Sequence, residues 1–162
     1  NLANIAVGKQ IQPENQWTFS VISDVIAEID KRFTPHGKIV LFGHSAGAQF
    51  IHRYMLFASM DKRISQIIIA NAGWYTMPVD NISFPYGIKN TPLNDGDLTA
   101  DFTKPVTILL GEDDIHADSN VLRHTNQADA QGSYRFERGI AFFNEAMSKA
   151  GKLDVPFNWQ LG

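Results

Sequence analysis

The stretch KIVLFGHSAGAQFIHRYM, residues 38–55, decides the fold prediction. It opens with KIVLF (38–42), a short apolar and β-branched run that is typical of a buried strand. The residues from Ala46 onward have helical periodicity, carried by Ala48, Ile51, Tyr54, Met55 and Ala58. A Gly-x-Ser-x-Gly motif, GHSAG (43–47), therefore lies directly between a predicted strand and a predicted helix, which is the context that a nucleophile elbow requires.

The position of Ser45 in this turn predicts a catalytic nucleophile. Because an elbow is tight, we expect Gly43 and Gly47 to supply the missing side chains that its packing needs. The helix that begins at Ala46 directs its N-terminus at the site, so the Ala46 N–H is the expected first oxyanion donor. We expect His44 to point away from the hydroxyl, with a packing role or a place at the substrate rim. The alternative is a glycine-rich connection with no chemistry.

The remaining periodicity alternates strands and helices. Helices are predicted over 13–33 and 132–150, and strands over 64–72, 105–111 and from 155 onward. This alternation predicts an α/β fold, with a parallel sheet covered by helices on both faces. In such sheets functional groups gather at the carboxyl ends of the strands, and three features follow predicted strands there: Ser45, Trp74 and GEDD (111–114).

The segment 73–104 is rich in Pro, Gly, Asn and Asp, and we treat it as a lid-like or binding loop within a single domain, 1–162. Its aromatic residues predict a wall for an acyl or aryl group of the substrate, and ordinary loop packing explains them equally well: Trp74, Tyr75, Phe84 and Tyr86. Residues 119–132 are a further candidate for the rim.

Composition excludes several classes of function. The formal net charge of the 162-residue chain is −3, without long charged runs, so neither a nucleic-acid partner nor a polybasic membrane patch is expected. The absence of cysteine excludes disulfides, thiolate chemistry and cysteine–metal sites. No apolar run approaches the roughly 18 residues of a membrane span. We expect a soluble protein, and the sequence predicts neither its compartment nor its oligomeric state.

Several segments taken in order resemble the α/β-hydrolase superfamily, in particular bacterial esterases and polyhydroxybutyrate-depolymerase-like serine hydrolases. They are KIVLFGHSAGAQFIHRYM, ANAGWYTMP, FPYG, LLGEDD, RFERGIAFFNEA and PFNWQL. The resemblance covers nearly the whole chain. It implies a serine hydrolase of carboxylic esters that works through an acyl-enzyme, with triad order Ser, Asp or Glu, then His. The expected substrate is a small-molecule or oligomeric ester, and neither a cofactor nor a metal is expected.

By this resemblance the triad acid is Asp114, third after Gly111. An acid there would accept the imidazole N–H and hold the correct tautomer. Rival acids are Glu112, Asp113 and Asp118. The acidic residues are alternatively a solvated loop, or a weak cation site in DDIHAD (113–118).

None of the five histidines stands where the resemblance implies the base: His36, His44, His52, His116 and His124. The family places it after the final strand, so we expect it beyond Gly162. The second oxyanion donor and the strands flanking KIVLF are likewise expected before Asn1. We therefore expect the C-terminal portion of an α/β hydrolase, lacking its N-terminal strands and final catalytic loop. Little activity is expected of the isolated chain.

Two other functions stay open. One is a non-catalytic binding module that keeps the elbow without turnover. The other keeps the triad but performs acyl transfer or C–C hydrolysis. Elbow chemistry serves esters, amides and thioesters alike, so the preference for esters follows from the resemblance alone.

Overall fold

The computed structural model describes residues 3–33 and 37–162, so His36 lies outside the described residues. The chain begins with an antiparallel hairpin of β1 (Ala6–Val7) and β2 (Gln10–Ile11), which the sequence did not predict. The remaining elements, in chain order, are α1 (Ser20–Arg32), β3 (Ile39–His44), α2 (Ala46–Phe57), β4 (Ile64–Ala70), α3 (Asp95–Phe102), β5 (Val106–Leu109), α4 (Asn126–Asp129), α5 (Arg135–Lys152) and β6 (Gln160–Leu161).

The first helix is shorter than the predicted 13–33. Residues 14–16 form a separate 3-10 turn, and Trp17 adopts extended backbone angles of φ −71° and ψ 142°. The Trp17 indole is buried by edge-on contacts with Phe19 and Phe57, at ring-centroid distances of 6.2 and 5.9 Å. Trp17 falls on the apolar stripe of the predicted helix, but it is buried by tertiary packing, since the helix itself begins only at Ser20.

Four parallel strands form the sheet, in the order β3-β4-β5-β6. His44 is in register with Ala70, and Ala70 with Leu109. The carboxyl ends of the three longer strands therefore meet at one edge, and the residues that follow them start side by side. This arrangement confirms the predicted α/β class and places Ser45 at the expected edge.

The core lies on one face of this sheet. Alternate strand residues join one hydrophobic cluster with buried residues from the helices: Ile67, Ile69, Val106 and Ile108 from the strands, with Ile26, Met55, Phe102 and Phe142 from α1, α2, α3 and α5. Because side chains alternate between faces along a strand, these residues all point to the same side.

The opposite face of the sheet is exposed among the described residues. Val40, Phe42 and Leu109 are 50%, 56% and 42% exposed. A cross-strand hydrogen bond of 3.1 Å joins Gln66 Nε2 to Thr107 Oγ1. The sequence predicted helices on both faces because continuous apolar strands are typical of sheets buried on both sides. In the described part of the chain helices cover only one.

The segment 73–104 holds a helix that the sequence did not predict. The α3 helix is capped by Asn94, whose Oδ1 accepts from Gly96 N–H, while Asp97 Oδ2 accepts from Asn94 N–H. Leu98 and Phe102 bury its apolar side. The segment is therefore partly ordered by its own secondary structure, and its role as a lid stays a prediction. No helix in the described ranges is long and apolar enough to cross a membrane.

Candidate active site

Ser45 is the only residue between β3 and α2. Its backbone has φ 53° and ψ −113°, a left-handed conformation that is costly for a residue with a side chain. Two backbone hydrogen bonds of 3.0 Å hold it: its N–H donates to the Ala70 carbonyl, and its own carbonyl accepts from Gln49 N–H. Such strain persists only where the surrounding structure over-determines the conformation, and it clusters at active sites. The sheet and the helix here provide that support.

The turn is possible because residue 43 has no side chain. A Cβ on Gly43 would lie 2.6 Å from the Gly47 carbonyl carbon and oxygen, and 2.9 Å from Ala48 N. Gly43 therefore meets the expectation of close packing. Gly47 does not, because its ideal Cβ position has no described atom within 4 Å other than its chain neighbours and the backbone of its own helix.

The side chain of Ser45 is available for chemistry. The residue is half-buried, and its Oγ makes no hydrogen bond with the described residues. Ala46 is exposed and is the first residue of α2, so its N–H has no acceptor within the helix. A hydroxyl beside a free N–H at a helix N-terminus can attack a carbonyl carbon while an adjacent donor stabilises the resulting oxyanion.

Asp114 is the acid that the structure holds in place. Asn71 Nδ2 donates to its Oδ2 at 2.9 Å, and Arg135 Nη1 lies 3.4 Å from its Oδ1. Asp114 is half-buried, whereas its rivals are exposed: Glu112, Asp113 and Asp118. Asp114 as the triad acid stays a prediction. The described residues contain no cluster of three or more acidic or histidine side chains placed to hold a metal ion.

Asn71 links the ends of β4 and β5. Its Nδ2 binds Asp114, and its Oδ1 accepts a hydrogen bond from Gly111 N–H at 2.9 Å. Its backbone N–H donates to the Leu109 carbonyl at 3.1 Å. Its φ of 45° is a conformation that Asn tolerates better than most residues. Sequence reasoning missed Asn71. The available signal was an asparagine directly after a buried strand and next to the predicted nucleophile.

None of the four described histidines hydrogen bonds to Ser45 or Asp114. His52 is fully buried, and its Nε2 accepts from Thr76 N–H at 3.0 Å, so its proton resides on Nδ1, which donates to the Ala48 carbonyl at 2.9 Å. Burial, and then the charge of Arg53, lower the pKa of His52 well below its usual value. His52 thus has a packing role. His124 pairs with Asp129 at 3.1 Å, and His44 and His116 are exposed.

The four aromatic residues of the predicted wall have different surroundings in the structure. Tyr75 is fully buried and stacks on Phe142 with ring centroids 4.5 Å apart, so the prediction of a substrate-binding role is wrong for this residue. Phe84 packs edge-on against Phe57 at 5.7 Å. Trp74 and Tyr86, at 4.8 Å, form a small cluster apart from the main core. A substrate-binding role stays a prediction for Trp74 and for His44.

A buried arginine fixes the segment that carries Trp74. Arg138 Nη1 donates to the carbonyls of Gly73 and Arg123, at 2.8 and 2.9 Å, and Nη2 pairs with Asp129 at 2.8 Å. These bonds tie the loop after β4 to α5 and to residues 119–132. The start of this loop is therefore held against α5.

No family model matches the sequence, and no curated protein matches it either. Two solved structures are similar to it, each with a TM-score of 0.88. Poly(aspartic acid) hydrolase-1 from Sphingomonas sp. KT-1 is 34% identical over 98% of this chain and 60% of its own. LpqC, a poly(3-hydroxybutyrate) depolymerase from Bordetella parapertussis, is 30% identical over 99% of this chain and 54% of its own. The chain thus spans a little over half the length of these structures. It has the fold of α/β-hydrolase-type, esterase-like enzymes, which confirms the resemblance found in its sequence.

Proposed function

We propose that this chain carries the nucleophile, the first oxyanion donor and the acid of a serine hydrolase that cleaves carboxylic esters. The observation that carries the proposal is the geometry of Ser45. A strained serine with an unbonded hydroxyl stands at the N-terminus of α2, beside the free N–H of Ala46. Two structural neighbours named as a hydrolase and a depolymerase support hydrolysis as the general reaction.

In the proposed reaction a general base removes the proton from Ser45 Oγ as that oxygen attacks the ester carbonyl carbon. The carbonyl oxygen becomes an oxyanion and accepts a hydrogen bond from Ala46 N–H. When the tetrahedral intermediate collapses, the bond to the alcohol oxygen breaks, and the protonated base returns its proton to that oxygen. Water then attacks the acyl-enzyme by the same route, releasing the acid and restoring the serine.

Asp114 holds the base in this proposal. Each carboxylate oxygen can accept more than one hydrogen bond, so Asp114 can accept an imidazole N–H besides its contacts with Asn71 and Arg135. Strands lie about 4.8 Å apart. Ser45 follows β3 and Asp114 follows β5, two strands away. An imidazole with a hydrogen bond on each nitrogen fits this spacing. The histidine itself has no candidate among the described residues, and its predicted position beyond Gly162 stays a prediction.

The substrate we propose is an oligomeric ester. One neighbour is named for poly(aspartic acid), whose units are joined by amide bonds, and the other for poly(3-hydroxybutyrate), whose units are joined by ester bonds, so the choice of an ester follows the second neighbour.

Trapping the acyl-enzyme tests the proposal. The full gene product is mixed with p-nitrophenyl butyrate, quenched in acid, digested and mapped by mass spectrometry. We expect a butyryl group on Ser45, and none in Ser45→Ala. Ser59→Ala, which removes an exposed serine after the end of α2, serves as the matched control and should still be acylated. Turnover that persists in Ser45→Ala, or an adduct on another residue, would contradict the proposed mechanism.

A further inference from the structure

Two guanidinium groups lie against the Trp74 ring. The Cζ of Arg53 is 4.3 Å from the ring centroid, and the Cζ of Arg123 is 5.1 Å from it. Neither arginine forms an ion pair with a carboxylate in the described part of the chain. Two positive charges are thus concentrated beside one indole in a chain whose net charge is −3.

Arg53 is the less usual of the two because it is fully buried. Its Nε donates to Thr76 Oγ1 and its Nη1 to the Gln49 carbonyl, both at 3.0 Å. Its Nη2 is buried with no hydrogen-bond partner among the described residues. Burial, and then the charge of Arg123, lower the pKa of Arg53 to about 9. An arginine is almost never fully buried without an anionic partner, so this site lacks a negative charge that would balance it.

Arg123 is exposed, yet its guanidinium is held in one orientation. Its Nε donates to Tyr86 Oη at 2.7 Å, and its Cζ lies 5.7 Å from the Tyr86 ring centroid. Tyr86 Oη also shares a hydrogen bond of 2.7 Å with Thr125 Oγ1. Neither Nη atom of Arg123 has a partner among the described residues, so both remain available. A pre-oriented guanidinium with two free Nη groups matches the two oxygens of a carboxylate.

The pair stands at a definite distance from the nucleophile. Arg53 follows Ser45 by eight residues along α2, or about 12 Å at 1.5 Å per residue. Gln49, between them, has its side-chain amide 3.1 Å from the ideal Cβ position of Gly73, next to Trp74. The cluster that Arg53 forms with Trp74 therefore lies about two helical turns along α2 from the nucleophile. That spacing suits a group on a distant unit of an oligomer.

We propose that Arg123, together with Arg53 and Trp74, forms a binding site for a carboxylate carried on a distal unit of the substrate. The role of this site in substrate selection rests on the proposed function, whereas its ability to bind a carboxylate does not. Arg123 is the specificity-determining residue, because its Nη groups are free to contact the ligand. Arg53 supplies the buried charge that favours an anion there.

Calorimetric titration of the full gene product with succinate tests the binding, with dimethyl succinate as the neutral probe. We expect a dissociation constant on the order of 1 mM for succinate, and no binding of the diester. Arg123→Gln should weaken succinate binding by about tenfold or more, since a charge-assisted bidentate contact is lost. Lys62→Gln, which removes an exposed positive charge just before β4 at the opposite edge of the sheet, should not change it. Equal affinity of Arg123→Gln and wild type, or no succinate binding, would overturn the proposal.

A kinetic comparison separates this inference from the proposed function. The substrates are a trimer of 3-hydroxybutyrate with a free terminal carboxylate and the methyl ester of the same trimer. We expect a KM about tenfold lower for the acid, with kcat little changed, and loss of the difference in Arg123→Gln. Arg123-dependent succinate binding without hydrolysis of either trimer would support the carboxylate site and refute the esterase. Hydrolysis of both trimers with equal KM, and no succinate binding, would support the esterase and refute the carboxylate site.

Discussion

Replacing Gly43 by alanine tests the elbow directly. The added Cβ would lie 2.6 Å from two backbone atoms of Gly47, where an ordinary contact is 3.4 Å or more. The first turn of α2 must therefore move by roughly 1 Å, because backbone atoms cannot rotate away as a side chain can. Overpacking of this kind costs about 1–3 kcal/mol, and we expect Gly43→Ala near the upper end.

The effect on reactivity should be larger than the effect on stability. Movement of α2 displaces Ser45 relative to Ala46 and Asp114, and a misplacement of about 1 Å can lower the rate about a hundredfold. The two assays are urea unfolding of the full gene product and the rate of acylation by p-nitrophenyl butyrate. We expect acylation to fall about a hundredfold while the variant remains folded.

Gly151→Ala is the matched control. Gly151 lies in α5, with no described atom within 4 Å of its ideal Cβ position. Alanine there should raise the unfolding free energy by up to about 1 kcal/mol, because glycine is less favourable in helices. It should leave acylation unchanged. The packing argument fails if Gly43→Ala unfolds at the same urea concentration as wild type and reacts at the same rate.

Two further predictions concern residues that support the site. In Asn71→Ala, Asp114 loses a hydrogen bond, and we expect kcat to fall about 10- to 100-fold. Asn90→Ala, which removes an exposed asparagine of similar backbone conformation (φ 65°), should not change kcat; equal rates for both variants would refute the role of Asn71. For His52 the folded pKa lies well below the unfolded value of 6.5, so the unfolded chain binds the extra proton first as the pH falls. Relative to His52→Gln, the wild-type unfolding free energy should therefore drop by about 1.4 kcal/mol per pH unit below about 6.5. Parallel curves from urea unfolding at pH 5 to 8 would contradict a buried neutral histidine.

The elbow could be predicted from the sequence because each of its parts has a local signature. KIVLF specifies a strand, the period after Ala46 specifies a helix, and the glycines mark the turn between them. The predicted strand and helix leave residues 43–45 for the connection, and in the structure Ser45 alone lies between β3 and α2. The resemblance to a family supplied Asp114, which has no local signature; the structure shows its contact with Asn71, and its role as the triad acid stays a prediction.

The features that were missed depend on tertiary contacts. Asn71 Nδ2 lies 2.9 Å from Asp114 Oδ2 only because β4 and β5 pair. Tyr75 looked like a loop aromatic, but its stacking on Phe142 follows from where α5 packs. The sequence did not predict the short α3 helix, because its segment is rich in Asn, Asp and Gly. The spacing of Asn94 and Asp97, which is that of a capping box, was the available signal.

The central claim is that Ser45 is an activated nucleophile, and fluorophosphonate labelling of the full gene product with peptide mapping tests it most directly. The account predicts a label on Ser45 that is absent from Ser45→Ala and present in Ser59→Ala. A folded, full-length protein that remains unlabelled would contradict it, and would favour a binding module that keeps the elbow without the chemistry.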